Sequence, residues 1–511
     1  MMLGSLFWAA LALAVLYTQA YTMLTRFISI VLHTYFRKIE LYGLNNLPRE
    51  GPVILCPNHP NMLVDPLIVI TECAKHGRNS YVWVKGAMFA NPVGAFVLDK
   101  LGCVPVYRPP KGSGSLEDQD STLSKDEINA ANLRMFERTW QTLAAGELML
   151  LFPEGTSYTA PKMLSLRTGV VRVAAGFVQH HNQPIPIVPV GLTYFNKEHF
   201  RSQVMLEFGA PLVITPDDVQ SEPFQRDDHA EVKRLTQLLE RKMHAITLNA
   251  REVGTLRVAR VMRRLFLNTS GLIAANQEVR LTQHIVTLLE REDLAVDKKA
   301  RVDAVRDKVK QYQDALERLR IKDQDLLLPV QKHSVLQLFL ERAVYLLVLL
   351  PLATPGLLIN FPYYFIGHKL NSLAGYVESK SMFKIFAAAV LVPVHWLLMI
   401  FATWHWLGAS YAYVLAVGLP VLLYSYIRVL EESRSFVENV YFLVSIATHA
   451  DKVAALRQTR AALAQEVYDI VSGDVDPEFL STVRRSLTNS PPRANALLRR
   501  NVSTSDTFRM R

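Results

Sequence analysis

Three stretches of the chain contain no Asp, Glu, Lys or Arg: Met1 to Thr25, Ala343 to Gly367, and Ile385 to Ile427. A helix needs about 20 apolar residues to cross a bilayer, so the first two stretches fit one span each and the third fits two. The first stretch has no basic beginning, and its charges, Arg26, Arg37 and Lys38, follow the apolar run. That order suits a retained anchor better than a cleaved signal peptide, and it places the following chain in the cytosol.

From Lys38 to about Ala250 the pattern changes to short apolar or β-branched runs separated by helix-like segments. This predicts an α/β domain with a mixed, largely parallel sheet flanked by helices. The expected strands are Val53 to Cys56, Tyr81 to Val84, Val104 to Val106, Leu148 to Phe152, Ile187 to Leu192 and Val204 to Phe208. Near-continuous apolar runs of this kind are what parallel strands buried on both faces require. Pro109 to Lys125, rich in Gly, Ser and acidic residues, reads as a surface loop, and a helix is expected from about Ile128 to Ala145.

Arg251 to Pro329 is highly charged with Leu, Val and Ile at helical spacing, which predicts two or three amphipathic helices. A solvated bundle is the simpler reading; an arm along the membrane surface, using Arg257, Arg260, Arg263 and Arg264, is the other. From Arg434 the chain begins as helix and ends in a polar tail holding Arg484-Arg485-Ser486, Ser490-Pro491 and Arg499 to Ser503. Such a tail lacks the apolar surface to fold and is a candidate for phosphorylation. The resulting division is an anchor at 1–35, a catalytic domain at 36–250, a helical region at 251–333, about three membrane helices at 334–430, and a helix with a disordered cytosolic tail at 431–511.

Fifty-six Lys plus Arg against 46 Asp plus Glu leave a net charge of +10, which suits work beside anionic lipid and phosphorylated substrates. No nucleic-acid motif accompanies that charge, so a nucleic-acid partner is not expected. The three cysteines, Cys56, Cys73 and Cys103, form no C-x-x-C pair and lie near no His at ligand spacing. A disulfide framework and a zinc site are both unexpected, as suits a reducing compartment.

The sharpest chemical signal is Asn58-His59-Pro60-Asn61-Met62-Leu63-Val64-Asp65-Pro66, directly after the first of these strands. A histidine at a strand end followed by a carboxylate can form a base and its orienting partner: Asp65 fixes the imidazole tautomer and His59 takes a proton from a hydroxyl. Three further strand ends add to it. Arg108 closes Gly102 to Arg108, where a guanidinium could hold a phosphate. Phe152-Pro153-Glu154-Gly155-Thr156-Ser157 ends another strand in a tight turn whose amides and hydroxyls can face an anion. Ile187-Val188-Pro189-Val190-Gly191 completes the set.

These motifs, in this order, resemble the glycerolipid acyltransferase family of glycerol-3-phosphate and lysophosphatidate acyltransferases, over about Ile39 to Leu212. The resemblance implies that His59 is the catalytic base and Asp65 its partner. It implies that Arg108, Glu154 and Gly155 line the acceptor phosphate site, with Thr156 and Ser157 adjoining, Arg167 a weaker phosphate ligand, and Pro189 near the acyl donor. It further implies acyl-CoA as co-substrate, no metal or redox cofactor, glycerol 3-phosphate as acceptor, membrane lipid as surroundings, and the endoplasmic reticulum membrane as location. Most of the family has four residues between His and Asp, whereas Pro60 to Val64 makes five. On a regular helix residues six apart point about 120 degrees away from each other, so an irregular turn must return Asp65 to His59. The fungal glycerol-3-phosphate and dihydroxyacetone-phosphate acyltransferases resemble this chain in that spacing and in the late apolar segments. A lysophosphatidate or other lysophospholipid acyltransferase, and a non-catalytic lipid-binding scaffold, are the alternatives.

Other chemistries fit less well. There is no G-x-S-x-G nucleophile elbow, and Gly112 to Ser115 lacks the Lys-Ser/Thr ending of a nucleotide loop. His180 and His181 read as surface residues, and His395 and His405, in apolar surroundings, as interhelical or interfacial hydrogen-bonding groups.

Overall fold

The computed structural model describes residues 2–107, 125–268, 273–327, 332–373, 375–377 and 379–488. Arg108, the loop expected at Pro109 to Lys125 apart from Lys125 itself, and the tail motifs after Thr488 lie outside the described residues. The chain forms two compact units, one built from Met1–Thr159, Met163–Tyr194 and Val204–Thr247, the other from Ala160–Lys162, Phe195–Gln203 and Leu248–Arg511.

The first unit opens with α1 (Met2–Tyr35), β1 (Lys38–Tyr42), β2 (Val53–Pro57), α2 (Val64–Lys75) and β3 (Ser80–Lys85). It continues through α3 (Pro92–Lys100), β4 (Cys103–Val106), α4 (Lys125–Ala144), β5 (Leu148–Leu150), α5 (Gly169–His181) and β6 (Ile185–Tyr194). It closes with β7 (Gln203–Phe208), β8 (Leu212–Ile214) and the helices α6 (Pro216–Gln220), α7 (Glu222–Arg226) and α8 (Asp228–His244). The strands form one sheet in the order β1-β7-β6-β2-β5-β3-β4, with β8 also on β6. β2 lies parallel between β5 and β6, β3 lies parallel between β5 and β4, and β7 and β8 run antiparallel to β6.

All five residues of β2 are buried, because neighbouring strands flank it and helices cover the sheet. α5 supplies one cover: Val171, Ala174, Phe177 and Val178 enter a core with Ile54, Cys56, Met149, Leu239 and Met243. His180 and His181, at its last turn, are exposed as expected. The two strands not anticipated, β1 and β8, are short; β8 has only three residues, too few for alternation to show. The strand expected to run to Phe152 ends at Leu150, so the whole Phe152 to Ser157 segment is turn.

Parallel strands have one consequence for function. The chain leaves β2, β3, β4 and β5 at the same edge of the sheet, where an open α/β sheet ordinarily holds its ligands. β6 contributes differently. Its far side pairs with β8 at Ile185 to Ile187 and with β7 from Val190 onward, and Pro189 falls in the gap between the two registers. There its missing N–H breaks no ladder bond, and its carbonyl accepts the Gly209 N–H at 2.8 Å.

The second unit is helical: α9 (Val253–Leu267), α10 (Ala275–Glu290), α11 (Val296–Leu319), α12 (Lys332–Leu373), α13 (Ser379–Leu407), α14 (Ala409–Thr448), α15 (Ala450–Ser472) and α16 (Pro477–Thr488). Met262, Leu265, Ile285, Val305, Tyr312, Leu463 and Val467 form a common core of α9, α10, α11 and α15. This is the helical bundle that was the simpler reading of the region, and not the membrane-surface arm offered as its alternative. Arg263 is buried, bonding Thr282 Oγ1 at 3.2 Å and facing Glu278 at 3.6 Å, so this part of the basic run serves the bundle. The tail reading is corrected: Arg484-Arg485-Ser486 belongs to α16, whose Phe479 and Leu480 pack against the bundle core.

α13 and the Ala409–Ser433 part of α14 are long and apolar enough to cross a membrane by length and composition. Leu397, Leu398, Trp406 and Val414 stand on their outer surfaces, as an apolar solvent would favour. The two helices break at Gly408, whose φ of 96° few other residues tolerate. The stretch Ala343 to Gly367 lies within α12, and Tyr363 of that helix meets His395 Nδ1 of α13 at 2.6 Å. That is the interhelical bond anticipated for His395.

Candidate active site

The site begins where β2 ends. After Pro57 the chain turns through Met62, which takes a left-handed φ of 45°, and enters α2 at Val64. A non-glycine residue pays roughly 1–2 kcal/mol for that conformation, and the turn is tied down on several sides. Met62 N–H donates to Ser157 Oγ at 2.9 Å, and Val64 N–H to the Asn61 carbonyl at 3.1 Å. Asn58 is clamped to β6, its side chain giving and taking bonds with the Leu192 backbone at 3.1 and 2.7 Å.

The left-handed residue resolves the five-residue spacing. It reverses the chain so that Asp65, in the first turn of α2, faces back to His59: Nδ1 lies 2.9 Å from Asp65 Oδ2. The carboxylate is fully buried and also accepts the Asn61 N–H on Oδ2 at 2.6 Å and the Tyr194 hydroxyl on Oδ1 at 2.5 Å. A carboxylate at a helix N-terminus with three donors is held as an anion acceptor, so Nδ1 of His59 carries the proton and Nε2 is left as the base. Among the described residues Nε2 has no partner, and the ring keeps 18% exposure. Phe152 stacks on it with ring centroids 4.1 Å apart, which fixes the plane of the imidazole.

Glu154 Oε1 accepts the His59 backbone N–H at 2.7 Å, and its Oε2 the Leu164 N–H at 3.0 Å. Burial pushes its pKa above the usual carboxylate range, against the pull of those two N–H bonds and the nearby His59. Buried and with both oxygens engaged by backbone N–H groups, Glu154 braces the segment that carries His59. Pro189 is buried in β6 beside Cys56.

Gly155, with φ of 72°, lets Arg167 lie against the turn, since a Cβ there would sit 2.8 Å from Arg167 Nε and 2.9 Å from its Cδ. The Arg167 backbone N–H bonds the Pro153 carbonyl at 2.8 Å, folding the segment back on itself. Arg167 is exposed and has no carboxylate partner among the described residues. It is therefore the cation presented at this turn, beside exposed Thr156. Thus His59, Asp65, Glu154, Gly155, Ser157 and Arg167 come together, and Arg108 is outside the described residues.

Tyr194 was not legible beforehand. It lies 129 residues from Asp65, and only its place at the end of β6 could have pointed to it. Burial, then the neighbouring Asp65, raises its pKa well above the ordinary phenol value, so it stays protonated and donates.

Comparison with known proteins bears on this arrangement. Residues 38–193 match the Acyltransferase family, and residues 258–373 match the glycerol-3-phosphate acyltransferase 2 C-terminal domain. The chain is 25% identical to glycerol-3-phosphate O-acyltransferase 1 of Saccharomyces cerevisiae over 80% of its own length and 62% of the relative's. It is 26% identical to glycerol-3-phosphate O-acyltransferase 2 of the same yeast, over 68% of this chain and 50% of that one. An uncharacterised acyltransferase of Schizosaccharomyces pombe is 22% identical over 89% of this chain and 82% of its own. The chain thus spans about three-fifths of the first relative and half of the second. With the acyltransferase match ending just before Tyr194 and the second match covering most of α9 through α12, the chain carries an acyltransferase domain followed by a region similar to the glycerol-3-phosphate acyltransferase 2 C-terminal domain, and it is similar to the yeast glycerol-3-phosphate O-acyltransferases.

Proposed function

We propose that the chain transfers a fatty acyl group from acyl-CoA to the hydroxyl of glycerol 3-phosphate, with dihydroxyacetone phosphate as a second acceptor. The product with glycerol 3-phosphate is lysophosphatidate, a precursor of phospholipid and triacylglycerol. The observation that carries this reading is the His59–Asp65 pair at 2.9 Å, with Nε2 unpartnered among the described residues, on the same segment that Glu154 and Ser157 bind to the Gly155–Arg167 turn. The names of the two budding-yeast relatives support the acceptor.

In this mechanism His59 Nε2 takes the proton of the acceptor hydroxyl as its oxygen attacks the thioester carbonyl. The tetrahedral intermediate collapses, the C–S bond breaks, and the departing thiolate of coenzyme A takes the proton back from His59. Asp65 stabilises the imidazolium between the two transfers, and no acyl-enzyme forms. Arg167, with Arg108, holds the acceptor phosphate through charge-assisted bonds. A small dianion offers little apolar surface, so most of its affinity has to come from such contacts. The apolar donor chain and lipid product suit an enzyme of the endoplasmic reticulum membrane, multi-pass, with its catalytic unit facing the cytosol.

The test is release of coenzyme A by the purified full chain in nanodiscs, with glycerol 3-phosphate, dihydroxyacetone phosphate and lysophosphatidate offered separately. Glycerol 3-phosphate is expected to be the preferred acceptor, and His59→Ala to lose about 100-fold to 10,000-fold in turnover. Preference for lysophosphatidate would overturn the acceptor, and near-normal turnover by a folded His59→Ala protein would overturn the mechanism.

A further inference from the structure

Asp65 divides its two oxygens unequally. Oδ2 takes the His59 Nδ1–H and the Asn61 N–H, while Oδ1 takes the phenol of Tyr194 at 2.5 Å. The phenol is not a passive filler. Its ring packs on Phe36, centroids 5.9 Å apart, and Phe36 is itself buried just after α1, so two elements aim the hydroxyl at the carboxylate. Among the described residues, the other ionisable groups facing the pair are Glu154, from the turn after β5, and behind it Cys56 of β2.

We propose that Tyr194 is a positioning residue for acyl transfer: its hydroxyl sets how strongly Asp65 holds a proton on His59, and hence the pH at which the base is free to act. This rests on the assignment of His59 as base. The physical reason is a competition for one negative charge. Each donor that bonds a carboxylate draws on its charge, and a short phenolic donor draws strongly. What Tyr194 takes is withdrawn from the imidazolium on the opposite oxygen. With the hydroxyl present, His59 releases its proton more readily and stands ready as a neutral base at lower pH. Without it, Asp65 presents its full charge to the imidazole, which then keeps its proton to higher pH.

The experiment is the pH dependence of kcat for the full chain in nanodiscs, with saturating acyl-CoA and glycerol 3-phosphate. Three proteins are compared: wild type, Tyr194→Phe, and a protein with 3-fluorotyrosine in place of Tyr194. Loss of one charge-assisted bond is expected to move the ascending limb of the Tyr194→Phe profile up by about one pH unit, with most of the plateau rate retained. The fluorinated phenol, nearly the same shape but a stronger donor, is expected to move the limb down. Glu154 and Cys56 are common to all three proteins, so the displacement isolates Tyr194. A purely structural role would lower kcat by one factor at every pH and leave the limb in place, which overturns the proposal. Should Tyr194→Phe fail to fold, the fluorotyrosine protein decides alone, and an unmoved limb there overturns it equally. His59→Ala is measured alongside: if it keeps turnover the base assignment itself has failed, whereas an inactive His59→Ala with unmoved limbs condemns only the role of Tyr194.

Discussion

Asparagine at position 65 would remove a charge from the proposed dyad while leaving its atoms almost where they are. The amide can point its oxygen at His59 Nδ1–H and the Asn61 N–H and its NH2 at Tyr194, whose hydroxyl rotates to accept. The fold should survive, with a melting temperature within a few degrees of wild type. Catalysis should not. Two unit charges at the 2.9 Å separation of the pair attract by about 6 kcal/mol at an effective dielectric of about 20. The 18% exposure of His59 and the dipole of the replacing amide recover roughly half of that. About 3 kcal/mol of imidazolium stabilisation is then lost from the transition state, or roughly 100-fold in kcat. Asp65→Ala is the contrasting variant. It leaves the Asn61 N–H and the Tyr194 O–H without an acceptor, at about 1–3 kcal/mol each, and should destabilise the protein as well as inactivate it. Coenzyme A release under saturating substrates, paired with thermal melts, separates the two effects. A folded Asp65→Asn protein within threefold of wild-type kcat would refute the dyad, as would equal loss of stability in both variants.

Gly155→Ala forces a side chain into a φ of 72° and within 2.8 Å of Arg167 Nε, so it should displace the guanidinium and raise the KM for glycerol 3-phosphate about tenfold with little change in that for acyl-CoA. Initial-rate kinetics with each substrate varied will show this, and an unchanged acceptor KM would remove Arg167 from the phosphate site. Glu154 binds its proton more readily folded than unfolded, because burial raises its pKa. The wild type should therefore gain stability relative to Glu154→Gln as pH falls from 7 through the raised folded value, levelling off below the unfolded value of about 4.3. Melts across that range that run parallel would refute the sign. In the helical unit, Arg460 is buried with Nε 3.0 Å from Asp323 Oδ1, so Arg460→Met should cost up to about 3–5 kcal/mol by removing the nearest cation from a buried carboxylate that keeps the Tyr312 hydroxyl at 2.6 Å and Arg264 at 4.0 Å. The Asp323→Asn and Arg460→Met pair should recover much of that in denaturant unfolding; a double variant no better than the single would contradict it.

Much of the first unit is legible in the sequence, for a local reason. A strand buried on both faces must be apolar throughout, and Val53 to Pro57 is; a turn that must enter a positive φ calls for glycine, and Gly155 stands there. The pairing of His59 with Asp65 was equally legible, down to the need for an irregular turn, because helix geometry forbids the six-residue separation from closing in any other way. Uncharged runs marked α13 and α14 because a span needs a fixed apolar length.

What the sequence leaves open has a cause of another kind. Glu154 is a brace only because β5 lies beside β2, which brings its carboxylate under the His59 N–H. Arg263 could belong to a bundle or to a basic surface by its neighbours alone, and α10 decides for the bundle by supplying Thr282 and Glu278 to enclose it. Pro189 is buried where β6 exchanges one antiparallel partner for another. What the sequence alone determined was therefore everything set by a residue's own neighbours along the chain: strand and helix periodicity, the strained turns, the apolar spans, and the histidine and carboxylate that close on each other within one turn. The tertiary structure decided the partners brought from afar, Tyr194 on Asp65 and Ser157 on Met62, because strand order places those groups together and no local pattern encodes that order.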